Sequence, residues 1–374
     1  MAELREHFEV RSAGVLPVQP PVLQTADPAS GIAHDLILLD KPPELFHRLV
    51  SLACLKAQYR RWRANGWEPD VVLVYNLSPI YNQFLLWLKR HLRCPKLVLL
   101  LLDSPNLGVP VQRWKTFRRR FKPLYTPDCE MIWRFDACIG LSKVTEKYFR
   151  PRNVPFLWMP GGCTPARVCL ADPGTPDRRN GSVRLGYFGA LADHAGVRPL
   201  IETVLATQIP ALLEICGYGK LAQTLNSLGT QNGRLKFHGL LTPSECLRFG
   251  ITCDVLVNPR PATHGNENNF SSKLFEYALT GRSILTSRLS GVEDVLGPEA
   301  FYFDPQDFSR SLRTSLLGLA QTKREELDRR GAAIQQRILS QFSWAKQGAR
   351  VASFLKRTCS GTLIAEELTE ALAA

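Results

Sequence analysis

The stretch from Asn268 to Ser287 holds the most chemistry for its length: Asn268-Asn269-Phe270-Ser271-Ser272-Lys273-Leu274-Phe275-Glu276-Tyr277-Ala278-Leu279-Thr280-Gly281-Arg282-Ser283-Ile284-Leu285-Thr286-Ser287. It reads as a loop, a helix start, a short helix, a glycine stop and a buried strand. Ser271 or Ser272 can cap the helix, and Gly281 suits the left-handed position just past its end. Lys273 and Glu276 are three residues apart and share one helix face. Free amides at a helix start, with a lysine beside them, make an anion site. A cation next to a carboxylate suits the two ends of one nucleotide, its diphosphate and its ribose hydroxyls. A surface helix with an ordinary i,i+3 ion pair has the same spacing, so this pattern alone leaves both readings open.

Such residues need a scaffold, and the chain supplies one. Apolar runs rich in Val, Ile and Leu recur at Phe8–Val15, Asp35–Leu39, Val71–Tyr75, Leu97–Leu102, Ala137–Leu141 and Phe156–Met159, with helical stretches between them. This alternation predicts a parallel sheet buried on both faces. The run of breakers from Asp172 to Gly181 predicts an interdomain linker. The pattern then restarts with strands at Arg184–Phe188, Ala211–Cys216, Leu235–His238, Val255–Asn258 and Ser283–Thr286, and a helix at Leu200–Ala206. Glu325–Lys356 reads as one amphipathic helix. Two such domains would place a ligand cleft between the carboxyl ends of two facing sheets.

The chain has 374 residues, of which 45% are hydrophobic, enough for two cores of domain size. Its 47 basic and 34 acidic residues leave a net charge of +13, which favours anionic partners such as nucleotide diphosphates, acidic lipid surfaces or nucleic acid. The ten cysteines, Cys54, Cys94, Cys138, Cys216 and Cys253 among them, form no CxxC pair and sit in apolar runs. This predicts reduced thiols and neither a disulfide frame nor a zinc site. The N-terminus lacks the apolar core of a signal peptide, and the longest apolar run, Leu97–Leu102, is too short to cross a bilayer. The expected location is the cytoplasm, with a peripheral place on the inner face of the membrane left open. Arg113–Lys122, basic with interleaved aromatics, could rest on anionic headgroups. Lys56, Arg60, Arg61 and Arg63 with Trp62 form a second basic cluster. Solvated helix faces explain either cluster in isolation better, but two of them in the predicted acceptor domain favour a membrane surface.

The Asn268–Ser287 stretch resembles the donor motif of group 1, family 4-like GT-B glycosyltransferases, in the subset that runs x-Lys-Leu-Phe-Glu-Tyr, small-residue helix, Gly, Lys/Arg, strand. Leu185-Gly186-Tyr187-Phe188-Gly189-Ala190-Leu191 resembles the first strand and turn of the donor domain. Leu235-Lys236-Phe237-His238-Gly239 resembles the strand and loop that meet the base. Asp136–Ser142, with Trp158-Met159-Pro160-Gly161-Gly162, resembles the end of the acceptor domain, and Phe342-Ser343-Trp344 the start of the final helix. The resemblance implies an α/β, GT-B fold of two doubly wound Rossmann-like domains facing a cleft: an acceptor-side domain over 1–172, a nucleotide-sugar domain over 173–345, and over 346–374 a helix returning to the first domain. It implies that Glu276 holds the ribose hydroxyls and that Lys273, Ser271 and Ser272 hold the phosphates. Gly189 would form the first turn, Gly217, Tyr218 and Gly219 would line the nucleotide pocket, and His238 and Gly239 would lie near the base.

The chain departs from the family in three places. The usual Arg and Lys that grip the diphosphate after the first turn fall on Ala190 and Ala195, leaving Lys273, Arg198 or Lys220 to supply the charge. The acidic residue eight positions before Glu276 falls on Asn268, with Glu267 beside it, so either could take the sugar contact. The family opens with a strand, a Gly-rich turn and a helix, whereas this sequence reads as starting at the end of that helix, so the first strand and an acceptor-side loop are expected to be missing from the first domain.

Sugar transfer passes through a cation-like transition state while the diphosphate leaves with growing negative charge. Preorganised cations are the main lever on that step. There is no Asp-x-Asp triplet, so the expectation is a transferase needing neither metal nor cofactor, with the nucleotide sugar as co-substrate and a glycan or lipid-linked acceptor. The resemblance further implies retention at the anomeric carbon. Asp103, after an apolar strand, could orient or deprotonate the acceptor hydroxyl, or it could be a turn residue before Ser-Pro. Asn76, Ser78, His194 and His264 are weaker candidates. A nucleotide-sugar epimerase of the same fold would need acidic and histidine groups in the cleft that the sequence does not gather. A catalytically degenerate transferase would be explained by Ala190 and Ala195. A nucleic-acid binder rests on charge alone and lacks base-reading elements, so no nucleic-acid partner is expected.

Overall fold

Runs of aliphatic and β-branched residues with no polar alternation can be buried only in a sheet covered on both faces. The computed structural model, which describes residues 4, 6–10, 12–17, 34–39, 44–76, 79–90, 95–102, 132–166, 182–231 and 233–361, places them there. Two units separate: Met1–Leu141, Thr145–Met159 and Gly348–Ala374 form one, and Ser142–Val144 with Pro160–Gln347 the other. The division falls at Met159 and Pro160. The linker expected at Asp172–Gly181 lies outside the described residues, as do Asp103, Ser78 and the basic segment Arg113–Lys122.

In the first unit, β1 (Ser12–Pro17) and β2 (His34–Leu39) pair in parallel as a separate two-stranded sheet. Helix α1 (Glu44–Ala64) leads to β3 (Val71–Tyr75), and α2 (Pro79–Leu88) to β4 (Lys96–Leu101). With β5 (Ala137–Gly140) and β6 (Phe156–Trp158) these make a four-stranded parallel sheet in the order β3-β4-β5-β6. One face packs Leu97, Leu99, Leu101 and Cys138 with Tyr59 of α1 and Leu85 and Leu88 of α2. There Lys56 and Arg60 of the second basic cluster lie over the Trp87 ring, 5.6 and 5.4 Å from its centroid.

The second unit carries β7 (Val183–Ala190), α3 (Val197–Ala206), β8 (Ala211–Tyr218), α4 (Ala222–Gln231), β9 (Leu235–Phe237), α5 (Pro243–Thr252) and β10 (Val255–Asn258). Then come the short α6 (His264–Glu267), α7 (Lys273–Leu279), β11 (Ser283–Ser287), α8 (Val292–Leu296), β12 (Phe301–Phe303), α9 (Phe308–Gln321) and α10 (Arg324–Gln341). The strands form one parallel six-stranded sheet in the order β12-β11-β10-β7-β8-β9. This is the doubly wound order, and its winding reverses between β7 and β10, the place where such sheets receive ligands.

The helix expected over Glu325–Lys356 is two helices, α10 and α11 (Trp344–Ser360). The backbone of Cys163 explains the break. Its amide donates to Phe342 O at 2.9 Å and its carbonyl accepts from Trp344 N at 3.0 Å, so it takes the groups that would have continued the helix. Beyond the break, α11 packs Val351, Ala352, Phe354 and Leu355 on Val98, Ala137 and Ile139 of the first unit's sheet. These residues cover the face opposite α1 and α2.

Helix α10 braces the turn that follows α7. Gln335 donates to Leu279 O at 2.8 Å, and Ser283 Oγ donates to Leu327 O at 2.7 Å. Gly331 allows this approach: a Cβ there would lie 2.2 Å from Gly281 O and 2.8 Å from Ser283 N, both backbone atoms that cannot swing away. Gly331→Ala is therefore expected to destabilise the protein by about 1–3 kcal/mol through overpacking. Gly318→Ala, on an exposed turn of α9 with no atom within 4 Å of the added carbon, is expected to gain about 0.5–1 kcal/mol. Denaturant midpoints of the two variants check this pair.

Candidate functional site

The site is built at the C-terminal ends of β7 and β10. Three links fix the start of α7. Ser271 is buried and donates to Asn258 Oδ1 at 3.2 Å. Asn258 Nδ2 donates to Thr286 Oγ1 at 3.0 Å, and Thr286 Oγ1 in turn donates to Ser287 O at 3.4 Å. Polar residues at the ends of two buried strands thus anchor the first turn of the helix. The expected side-chain cap does not form. Ser272 holds the cap position with helical φ and ψ and makes no cap hydrogen bond, because Ser271, the other hydroxyl, is spent on Asn258. Gly281 does adopt the left-handed conformation expected after the helix, with φ 68°.

From this fixed start Lys273 reaches back across the sheet to β7. Its Nζ donates to Tyr187 Oη at 2.6 Å and stands 4.3 Å from the Tyr187 ring centroid. Tyr187 Oη donates onward to Ala190 O at 2.6 Å. Gly189 leaves room for the ammonium: a Cβ there would sit 2.7 Å from Nζ, and the backbone has φ 141°. Desolvation first, and the Arg260 charge second, bring the Lys273 pKa down to about 7, with Glu276 partly opposing both. The Tyr187 hydroxyl is pushed up, chiefly by burial. At neutral pH the lysine is thus divided between charged and neutral forms.

Glu276 stands one turn further along α7 with its side chain exposed to solvent. Asn268 is buried at 5% exposure, and its Nδ2 lies 3.0 Å from both His264 O and His264 Nε2. Its Oδ1 has no hydrogen-bond partner. Such an orphaned acceptor is costly in a fold and frequent where a ligand donor completes the set. Glu267 ends α6 partly buried, and its carbonyl accepts from Ser142 Oγ at 2.7 Å.

The glycine-rich ends of β7, β8 and β9 lie side by side. Gly217 N donates to Gly239 O at 2.8 Å, and Leu191 N to Tyr218 O at 2.7 Å. Gly217 must lack a side chain, since a Cβ would come within 1.9 Å of Gly189 O. A Cβ on Gly219 would come within 2.6 Å of Leu191 O. The Tyr218 side chain is 65% exposed. His238 is held from below: its Nε2 is 2.8 Å from Glu214 Oε2, and its ring centroid is 5.2 Å from that of Phe249. Glu214 is itself buried and receives Arg184 Nε and Nη2 at 2.8 and 2.6 Å. Burial raises the Glu214 pKa, but the hydrogen bonds from His238 and Arg184 outweigh it and keep the carboxyl below its usual range.

Arg198 and Lys220, the other cations considered for the phosphates, are exposed, on α3 and after β8. The sequence reading did not find Tyr187, Glu214, Asn258 or Arg260. The first three carried a visible signal, a polar residue inside or ending an apolar strand.

An ammonium held near neutrality by burial destabilises the fold while it is charged. In the unfolded chain this lysine binds its proton up to about 10.5, and in the native state only to about 7. Stability therefore rises as pH climbs between these values. Lys273→Met removes the cost. At pH 6.5 it is expected to raise Tm by at least roughly 2–4 °C, the shift given by about 1 kcal/mol in a protein of this size. The advantage should fade towards pH 10. Melting curves of both proteins across that range check it.

No family model matches the chain, and no curated protein matches it. Solved structures do. Sucrose-phosphate synthase from Thermosynechococcus elongatus superposes with a TM-score of 0.63 at 15% identity, over 87% of this chain and 84% of that one. The lipopolysaccharide outer core galactosyltransferase WaaB, in its apo form, gives 0.62 at 15% identity, over 87% and 85%. HepE of Anabaena, in complex with UDP, gives 0.58 at 13% identity, over 86% of each chain. With its parallel sheets interleaved with helices, the chain has the fold of the GT-B glycosyltransferases.

Proposed function

We propose that the protein is a glycosyltransferase that takes a sugar from a nucleotide-sugar donor held on the second unit. The observation that carries this reading is the Lys273 ammonium, part-buried on Tyr187 at the winding reversal between β7 and β10, with the Glu276 carboxylate one turn along the same helix. A desolvated lysine at a sheet's ligand-binding edge is a poor structural device and a good anion receptor. The diphosphate of the donor takes the place of solvent around Nζ and returns the lysine to its charged form. Glu276, exposed and acceptor-only when ionised, receives the two ribose hydroxyls. Asn268 Oδ1 accepts from a hydroxyl of the transferred sugar. Gly189, Gly217, Gly219 and Gly239 let backbone come close to the nucleotide.

In the reaction the bond from the anomeric carbon to the diphosphate breaks, and negative charge grows on the leaving oxygen. Lys273 is stronger towards that charge than towards the intact donor, which is the condition for lowering the barrier. The acceptor is a glycan or lipid-linked sugar, deprotonated or oriented by Asp103. Transfer proceeds with retention and without a metal ion. The fold of HepE, whose structure holds UDP, and that of the galactosyltransferase WaaB support a donor of this class. An epimerase of the same fold gains no support from the residues gathered here.

Calorimetric titration with UDP, ADP and GDP, each with and without chelator, tests the proposal. One diphosphate is expected to bind and to bind equally with chelator present. Glu276→Gln and Lys273→Met are each expected to weaken it by about 10- to 100-fold, the cost of losing a hydrogen bond to a charged group. No binding by any of the three would contradict the reading.

A further inference from the structure

The two cation positions of the resembling family fall here on Ala190 and Ala195, and neither can hold charge. The structure shows what packs against that turn instead. Arg260 follows β10 directly, between Pro259 and Pro261. A Cβ on Gly196 would lie 1.7 Å from Pro259 O and 3.1 Å from Pro261 Cδ, so the two backbones are pressed together. One side chain staples them: Asn266 Nδ2 donates to Pro261 O at 2.9 Å and to His194 O at 3.0 Å. The segment bearing Arg260 is thereby fixed to the turn bearing Ala195, on the β10 side of the winding reversal where Lys273 stands on the β7 side.

We propose that Arg260 is the second diphosphate-binding cation of this site, supplied from the end of β10 in place of the turn after β7. The inference rests on the reading of this edge as a diphosphate site. Two further facts agree with it. The Arg260 charge reaches both partners of the buried pair, lowering the pKa of Lys273 and of Tyr187. The flanking prolines fix the backbone on either side of Arg260, which reduces the ordering that ligand binding requires. Arg260, from the end of β10, and Lys273, reaching from the start of α7 to β7, then grip the diphosphate, the guanidinium as a planar fork and the ammonium as a point charge.

The groups facing Lys273 are Tyr187 on β7, Arg260 after β10 and Glu276 on its own helix. Removing Arg260 therefore has two separable effects. It takes away one phosphate contact, and it raises the pH at which Lys273 loses its proton. The experiment is titration of wild type, Arg260→Met and Arg260→Lys with UDP and with uridine from pH 6.5 to 10, with ADP, GDP and their nucleosides run alongside.

At pH 6.5 Arg260→Met is expected to lose at least tenfold in diphosphate affinity, with nucleoside affinity unchanged. Its remaining diphosphate affinity should fall off at higher pH than in wild type. Arg260→Lys should recover most of the loss, and Arg260→Gln replaces the Met variant if that does not fold cooperatively. Unchanged diphosphate affinity with an unchanged pH midpoint overturns the assignment and leaves the donor site standing. Equal loss of nucleoside and diphosphate affinity also overturns it, since it marks a structural residue. Failure of wild type to bind any diphosphate defeats the underlying reading instead.

Discussion

The ammonium of Lys273 is part-buried against the ring and hydroxyl of Tyr187, and the ligand-facing edge of the second unit is arranged around that contact. Gly189 has no side chain because Nζ occupies its place. Tyr187 passes the hydrogen bond on to Ala190 O, which ties the end of β7 to the lysine. The start of α7 is pinned by Ser271, Asn258 and Thr286, and its end by Gln335 from α10. A side chain that ordinarily seeks solvent is held away from it by elements from three separate parts of the chain. Such an arrangement costs stability and is understandable where a ligand later supplies the missing anion.

The same sheet holds a second buried charge, and the contrast is informative. Glu214 lies in the middle of β8 with both carboxylate oxygens engaged, Oε1 by Arg184 and Oε2 by His238. Its partners hold its pKa down against burial, so the group stays ionised and fixes His238 in place. Lys273 has a neutral phenol where Glu214 has the Arg184 guanidinium, and its pKa moves towards neutrality. One buried charge is satisfied within the protein and acts as structure. The other leaves room for an anion from outside.

Much of this was legible in the sequence, for physical reasons. β10 is built on the apolar run Val255-Leu256-Val257 and β11 on Ile284-Leu285, so their positions as buried strands were legible, and they end within one residue of expectation. Gly281 marked the end of α7 because only glycine is comfortable at its φ of 68°. Lys273 and Glu276 were paired by helical spacing alone. Tertiary competition hid the rest. Ser271 reads as a cap, but Asn258, thirteen residues earlier in the chain, takes its hydroxyl. The stretch Glu325–Lys356 reads as one continuous helix, but Cys163 supplies backbone partners at Phe342 and Trp344. Arg260 gives no periodic signal, since its role depends on Gly196 and Asn266 drawing two distant turns together. Local pattern finds residues that share an element, and misses those brought together by packing between elements.

The central claim is that Lys273 titrates near neutrality in the free protein and is recharged by a diphosphate. Carbon-13 NMR of the lysine Cε, assigned by comparison with Lys273→Met, measures this directly. The account predicts one lysine with a midpoint near 7 in the free protein, against an ordinary value of 10.5, and an upward shift of that midpoint by more than one unit when the diphosphate that binds is added. A Lys273 midpoint already near 10 in the free protein, or one near 7 that stays put when diphosphate is bound, would contradict it.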